Sequence, residues 1–300
     1  MKRVLVTGGA GFIGSHLSGT LLDRGYKVRV LDNLCSGHAG WIPDGADWIE
    51  GDITDFATCK TAMQGIDGVF HCAAMSRAGP SLDEIERCTN TNIVGTQTIL
   101  MAARDMGVKK IIYSGSSTYY GNQPVPHREY ETSGEFLNFY ALSKRVGEQY
   151  CLLFDEAFHL SCLILRYFNV YGSRQPRTGA YALVIGQFLD RQAQGLPLEI
   201  HGDGSQRRDF IHVQDVVNAN IAALESPIHH AIFNIGSGTN TSINELASMI
   251  SNNQIHGPNR QGDAIQTLAD IARATSQLNW KPTIPLIQGV QALIRSAVKA

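Results

Sequence analysis

The sequence predicts an α/β fold of the Rossmann type, a doubly wound parallel sheet with helices on both faces, from two observations. Short aliphatic runs alternate with helical stripes through the first half of the chain. A glycine-rich turn joins the first such run to the first such stripe. Parallel neighbours cannot be joined by hairpins, and this alternation supplies one helix for each crossover.

Val4, Leu5 and Val6 read as a buried strand that stops at glycines, and Ile13, Leu17, Leu21 and Leu22 form the stripe that follows. Gly9, Gly11 and Gly14 fit G-x-G-x-x-G, while Gly8, Gly11 and Gly14 fit G-x-x-G-x-x-G. Such glycines permit a tight turn, let a pyrophosphate approach the backbone and let the helix pack on the strand. The helix N-terminus then faces the phosphate charge. A second strand, Lys27 to Leu31, ends on Asp32, where a carboxylate can hold both hydroxyls of an adenosine ribose. A 2′-phosphate would meet like charge there, and Asn33 follows instead of an arginine. The expected cofactor is therefore NAD.

Asp47 to Glu50 leads into Gly51-Asp52, and Asp55 caps a helix that ends near Gly65. Gly68 to His71 is a short strand. A helix carrying Ile93, Thr96, Ile99, Leu100 and Ala103 stops at Gly107. Lys109 to Tyr113 and Leu160 to Tyr167 are strands, with a helix from about Phe139 to Phe158 between them. The rhythm breaks after Gly172, where Ser173 to Gly179 and Ile200 to Arg208 read as ligand-facing loops. Helical stripes return at Ile243, Leu246, Met249 and Ile250, and at Leu286, Val290, Leu293, Ile294 and Val298. The expected division is a nucleotide-binding domain over 1–168 and a smaller C-terminal α/β domain over 169–300, with Ala231 to Ile235 returning to the main sheet.

Composition narrows the class. A 43% hydrophobic and 17% charged chain of 300 residues has material for a real core. A formal net charge of −2 gives no electrostatic case for nucleic acid or an anionic membrane. Cys35, Cys59, Cys72, Cys88, Cys151 and Cys162 make no C-x-x-C pair and no zinc spacing, so no metal is expected and the thiols read as reduced. No apolar run reaches membrane-spanning length, and the stretch behind Lys2-Arg3 is too short for a signal peptide. The expected location is the cytoplasm.

Tyr140 and Lys144 form Y-x-x-x-K on the predicted helix, and their spacing puts both on one face. A tyrosine with a reference pKa near ~10 is a poor base at neutral pH; a neighbouring ammonium and a nicotinamide cation both favour its phenolate. Alone, the pair is common on solvated helix faces. Upstream lies Tyr113-Ser-Gly-Ser-Ser-Thr-Tyr-Tyr-Gly121, a hydroxyl-rich turn at the carboxyl end of a strand, where open α/β sheets bind their ligands.

With these motifs the chain resembles the extended short-chain dehydrogenase/reductase family, and within it the nucleotide-sugar 4-epimerases and dehydratases. The resemblance spans nearly the whole chain. It rests on Thr7 to Gly14, Asp32-Asn33, Gly51-Asp52-Ile53, His71 to Ala74, Asn92 to Thr96, Ser116 to Gly121, Tyr140 with Lys144, Leu165 to Gly172 and Arg208 to Val213. It implies that Tyr140 is the general base, that Lys144 holds the nicotinamide ribose and lowers the pKa of the tyrosine, and that Ser116 bonds the reacting sugar hydroxyl. It implies cofactor contacts at Gly8, Gly11, Phe12, Ile13, Gly14, Asp32, Asn33, Asp52, Ile53, Ala73, Ala74 and Asn92. Substrate contacts are implied at Ser116, Ser117, Thr118 and Asn169, with Arg208 and Arg260 on the diphosphate, where planar guanidinium groups suit bidentate contact. The segment Gly179 to Ile185 resembles one that closes over the uridine and sugar.

Dehydratases of the family carry Asp-Glu where this chain has Ser117 and Thr118, which cannot serve as carboxylic acid and base. The resemblance thus implies NAD-dependent C4 epimerisation of a UDP-sugar, UDP-Glc/Gal or UDP-GlcNAc/GalNAc, in a homodimer paired through the helices near Asn90 to Met106 and Phe139 to Phe158. UDP-glucuronate epimerisation or decarboxylation stays open through Arg174 and Arg177. A non-catalytic NAD-binding regulator would have a degraded site, whereas Ser116, Tyr140 and Lys144 are all present. Two positions depart from the family pattern: Tyr119 stands where valine is usual, and Gly115 where serine or alanine is frequent.

Overall fold

β-Branched and aliphatic residues alternate so that each central strand buries both of its faces, which is the requirement of a parallel sheet covered on both sides. In strand β1 (Arg3–Thr7), Val4 and Val6 enter one core and Leu5 the other. The computed structural model describes residues 2–132, 134–179, 182–258 and 264–297. Arg260, Ala180-Tyr181 of the Gly179 to Ile185 segment, and Val298 lie outside the described residues.

The main sheet has seven strands. Its other members in chain order are β2 (Lys27–Asp32), β3 (Asp47–Glu50), β4 (Gly68–His71), β5 (Lys110–Ser116), β6 (Ser161–Tyr167) and the strand Ala231–Ile235. From one edge the order is Ala231–Ile235, β6, β5, β4, β1, β2, β3, and every pairing is parallel. All carboxyl ends therefore lie along one edge, which brings Thr7, His71 and Ser116 to the same rim.

Helix α1 (Phe12–Asp23) covers one face through Leu17 and Leu21, beside the helix Val213–Glu225 with Val216, Val217 and Ile221. The other face is covered by α2 (Phe56–Ala62), whose N-cap Asp55 accepts from the Ala57 N–H, and by two longer helices further on. Between β4 and β5 the chain makes short helices α3 (Ala78–Asp83) and α4 (Ile85–Thr89), one π-type turn over Asn90–Val94, and then α5 (Gly95–Asp105). The stripe predicted as one helix is thus interrupted by the wider turn that carries the buried Asn92. Helix α6 (Phe139–Phe158) has the predicted bounds; the Asn138 side chain caps it by accepting from the Ala141 N–H, and His159 ends it in the left-handed region.

After β6 a third core forms from Phe188, Leu189, Leu198, Ile200, Leu246 and Val290 among others. The segment Ile200 to Arg208, predicted as a loop, begins and ends in strands: Leu198–His201 pairs with Gln254–Gly257, and Arg207–Arg208 with Thr241–Ser242. Both partners are remote in sequence, and no local pattern announces them. The predicted stripes near 243 and 286 form the helices Ile243–Ile250 and Leu286–Ala297.

Candidate active site

Glycine at positions 8 and 14 is a geometric requirement. Gly8 has φ +69°, and a Cβ there would stand 2.7 Å from the Ala73 nitrogen. A Cβ on Gly14 would collide with the Gly8 carbonyl oxygen and stand 2.9 Å from Gly9 Cα. A Cβ on Gly11 would meet only that same carbonyl oxygen, at 3.2 Å. The first intrahelical bond runs from the Ser15 N–H to the Gly11 carbonyl at 3.0 Å. The amides of Phe12, Ile13 and Gly14 stand ahead of it, and the Gly11 N-cap brings no side chain to cover them. This is a cradle closed to side chains and lined by amide donors, as a pyrophosphate needs.

Asp32 is buried, and its carboxylate accepts from the Ala10 N–H at 2.9 Å and the Leu34 N–H at 2.8 Å. These bonds fix the carboxylate at the end of β2, beside the glycine turn. Asn33 donates to Asp52 at 2.7 Å, tying the two sites expected around the adenosine. Burial would raise the Asp52 pKa, but bonds from the Thr54 amide and hydroxyl and from Asn33 hold it below the usual carboxylate range. Ile53 is buried, with its side chain filling the space that a Cβ on Gly95 would need. The Ala73 N–H donates to the Thr7 hydroxyl at 3.2 Å; that hydroxyl also meets His71 Nδ1 at 2.8 Å, and His71 Nε2 meets Thr96 at 3.0 Å. Burial drives the His71 pKa down to about 3, so the ring is a neutral strut.

Asn92 is a clamp. Its amide oxygen accepts from the Met75 N–H at 2.8 Å, and its amide nitrogen donates to the Met75 carbonyl and the Ser143 hydroxyl, each at 2.9 Å. The loop through Ala73 and Ala74 is thereby fastened to α6. A second fastening follows at Ser81, whose hydroxyl accepts from the Tyr140 N–H at 3.1 Å.

Ser116 closes β5, opposite Tyr167 of β6. The serine run predicted as a turn therefore begins inside the strand, and only Ser117 to Gly121 turns. The Ser116 hydroxyl lies 2.9 Å from that of Thr118 and close enough to the Tyr140 phenol to favour its ionised form. Burial raises the phenol pKa above its ordinary value, while the Ser116 hydroxyl and the nearby Arg77 guanidinium pull it down. Lys144 is buried, donates to the Ser114 carbonyl at 2.8 Å and stands 4.8 Å from the centre of the Tyr113 ring. Burial lowers its pKa to about 8. The Arg77 guanidinium is a second cation whose charge acts on the phenol, while Lys144 is turned onto strand β5 through its bond to Ser114. No motif marks Arg77, which reaches the site through the folding of the short helix α3.

Asn169 donates to the Asp209 carbonyl at 3.0 Å and the Thr267 hydroxyl at 3.1 Å. Arg208 donates to the Arg207 carbonyl at 3.0 Å. Arg174, one candidate for a sugar carboxylate, lies close enough to His16 on α1 to act on its charge. Among the described residues no cluster of His, Cys, Asp or Glu could hold a metal ion, and no helix is long and apolar enough to cross a membrane.

A donor-lined glycine cradle, a fixed acid at the next strand end and a phenol–ammonium helix on the same rim define an enzyme built around a dinucleotide. Residues 4–236 match the family described as the NAD dependent epimerase/dehydratase family. A putative UDP-glucose 4-epimerase of Methanocaldococcus jannaschii is 37% identical over 300 residues, 97% of each chain. A UDP-N-acetyl-alpha-D-glucosaminuronate decarboxylase of Bacillus cytotoxicus is 37% identical over 257 residues, 83% of this chain and 79% of its own. The crystal structure of the Thermotoga maritima UDP-glucose 4-epimerase with UDP-glucose superimposes with a TM-score of 0.95, at 34% identity and 99% coverage of both chains. The chain belongs to the NAD dependent epimerase/dehydratase family; it is an isomerase of the epimerase kind, and its cofactor is NAD.

Proposed function

We propose that this chain interconverts the C4 epimers of a UDP-sugar, UDP-glucose and UDP-galactose or their N-acetylhexosamine counterparts. The observation that carries the reading is the meeting of Ser116, at the carboxyl end of β5, with Tyr140 of α6 on the rim that also holds the glycine cradle. The cradle formed by Gly8, Gly11 and the amides of Phe12, Ile13 and Gly14 would take the pyrophosphate of NAD. Asp32 and Asn33 would take the adenosine ribose, Asp52 and Ile53 the adenine, and Ala73, Ala74 and Asn92 would line the rest. NAD, when bound, supplies reversible hydride acceptance at C4. The chain's own part is proton transfer. Tyr140 takes the C4 hydroxyl proton and gives it back, Ser116 holds that oxygen, and Lys144 would hold the nicotinamide ribose. Asn169, Arg208 and Arg260 would hold the diphosphate. Ser117 and Thr118 provide no carboxylic acid for dehydration.

Arg77 beside Tyr140 favours one second reading, a uronate substrate whose C5 carboxylate would meet a guanidinium. The decarboxylase relative is consistent with it. Incubation with a panel of neutral and uronate UDP-sugars, with the C4 epimers resolved, tests both. Turnover of a neutral hexose above every uronate supports the first reading, and the reverse order replaces it with the second.

The assembly we propose is a homodimer through α5 and α6. Leu142 and Leu153 are exposed on α6 and Val94 just ahead of α5, and Val146 and Met101 are half-buried. Light scattering at micromolar concentration would show a dimer; a monomer would rule it out as a stable state.

A further inference from the structure

Tyr119, one of the two departures from the family pattern, does not face the rim. It is 1% exposed, and its hydroxyl donates to the carboxylate of Glu148, which is fully buried. Glu148 stands on α6 four residues beyond Lys144 and eight beyond Tyr140, so the three share one side of the helix. Its carboxylate also accepts from Arg145 and, in a two-pronged contact at 3.0 and 2.8 Å, from Arg166 of β6. Arg166 is equally buried, and its remaining prong donates to the Tyr120 hydroxyl and to the Glu129 carbonyl, at 2.5 and 2.9 Å. The guanidinium carbon lies 4.8 Å from the Tyr119 ring centre and 5.2 Å from that of Tyr120.

The turn that follows Ser116 is thus joined at two successive residues to a single buried ion pair. One member of that pair belongs to the helix that carries Tyr140. A valine at 119 would fill space without reaching Glu148 through a hydrogen bond. In a dry interior such a bond is strong and directional, and its loss leaves carboxylate capacity unmet. Thr118 and Ser116, whose hydroxyls meet at 2.9 Å, sit immediately ahead of the anchored residue.

We infer that Tyr119 is a positioning residue of the reaction: through Glu148 and Arg166 it locks the serine turn to α6 and so holds Ser116 against Tyr140. The inference rests on the reading of Ser116 and Tyr140 as the reacting pair. Tyr119 is buried against Glu148 and Arg166 and presents no surface to the rim. Its effect must therefore fall on turnover and on the ionisation of Tyr140, since a loosened Ser116 hydroxyl withdraws a support of the phenolate.

The test is Tyr119→Phe, which keeps the ring and removes the hydroxyl, measured beside Tyr140→Phe and wild type on the UDP-sugar that wild type epimerises. Activity is expressed per NAD-binding site, so unfolded protein does not count. The expected result is a kcat lower by roughly tenfold, because small misplacements of reacting groups cost rate steeply. KM and NAD affinity stay within about twofold of wild type, as an interaction made only in the transition state requires. The acid limb of the pH–rate profile moves to higher pH. A wild-type kcat and pH profile in Tyr119→Phe overturns the inference, whether or not the melting temperature falls. A rise in KM alone overturns it as well, by placing Tyr119 on the substrate. Failure of the underlying reading looks different: Tyr140→Phe would then turn over as fast as wild type.

Discussion

Helix α1 contains two glycines whose replacement by alanine should act in opposite directions. At Gly14 a Cβ would collide with the Gly8 carbonyl oxygen and lie 2.8 Å from the Gly8 carbonyl carbon, where ordinary contact begins near 3.4 Å. All the obstructing atoms are backbone, so relief requires the turn itself to open. Overpacking of this kind costs roughly 1–3 kcal/mol. The bond from the Gly11 N–H to the Gly8 carbonyl, 3.1 Å long, lies in the path of the movement and adds roughly 1 kcal/mol. A distorted cradle should weaken NAD by about 10²-fold, the equivalent of roughly 3 kcal/mol. At Gly19, five residues along the same helix, a Cβ meets nothing within 4 Å. There the substitution removes only the flexibility of glycine and should stabilise the protein by roughly 0.5–1 kcal/mol. Calorimetric titration with NAD and urea denaturation of both variants would read the contrast. Equal NAD affinity in Gly14→Ala and Gly19→Ala would refute the argument that the turn is built around the absence of a side chain.

Three further outcomes follow from the charges on the rim. Removing the guanidinium in Arg77→Ala withdraws a cation from the Tyr140 phenol, so the acid limb of the kcat/KM profile should move to higher pH; an unmoved limb would separate Arg77 from the base. Lys144 is held near pKa 8 by burial, so between about pH 8 and the ordinary lysine range the unfolded chain binds more protons and stability rises with pH. Lys144→Met should therefore stabilise the NAD-free protein below pH 8 by on the order of 1–2 kcal/mol after loss of the bond to Ser114, with the gain fading as pH rises and turnover abolished. Denaturation curves at pH 7 and pH 10 would show this, and destabilisation at pH 7 would contradict it. Finally, the Asp32 carboxylate, fixed by two backbone amides, should make NAD bind at least about tenfold tighter than NADP, a preference that calorimetry would find absent if Asp32 does not face the ribose.

Much of this architecture was legible because it is local. The bounds of α6 follow from the Asn138 cap and an apolar stripe, and the strand Ala231–Ile235 from its aliphatic run. Tyr140 and Lys144 are placed on one face by helical spacing alone. What could not be read locally is set by packing. The short helices α3 and α4 contain Gly79-Pro80 and too few residues for a periodic signal, yet they bring Arg77 to the phenol. The helix Val213–Glu225, marked by Val213, Val216, Val217 and Ile221, starts on the last residue of the Arg208 to Val213 motif, so no turn signal separates the motif from the helical stripe. Lys144 points onto Ser114 because burial of an ammonium demands an acceptor, a demand that spacing does not express. The role of Tyr119 depends on Glu148 and Arg166, which come from two other elements.

In the proposed reaction the C4 hydrogen leaves the sugar as hydride and returns to it within one site, while Tyr140 handles only the hydroxyl proton. Epimerisation of the preferred UDP-sugar in deuterium oxide, followed by NMR of both epimers after many turnovers, tests it most directly. C4 is expected to keep its original protium in substrate and product alike. Deuterium at C4 would mean that a carbon acid exchanges with solvent, and would exclude direct return of the hydride.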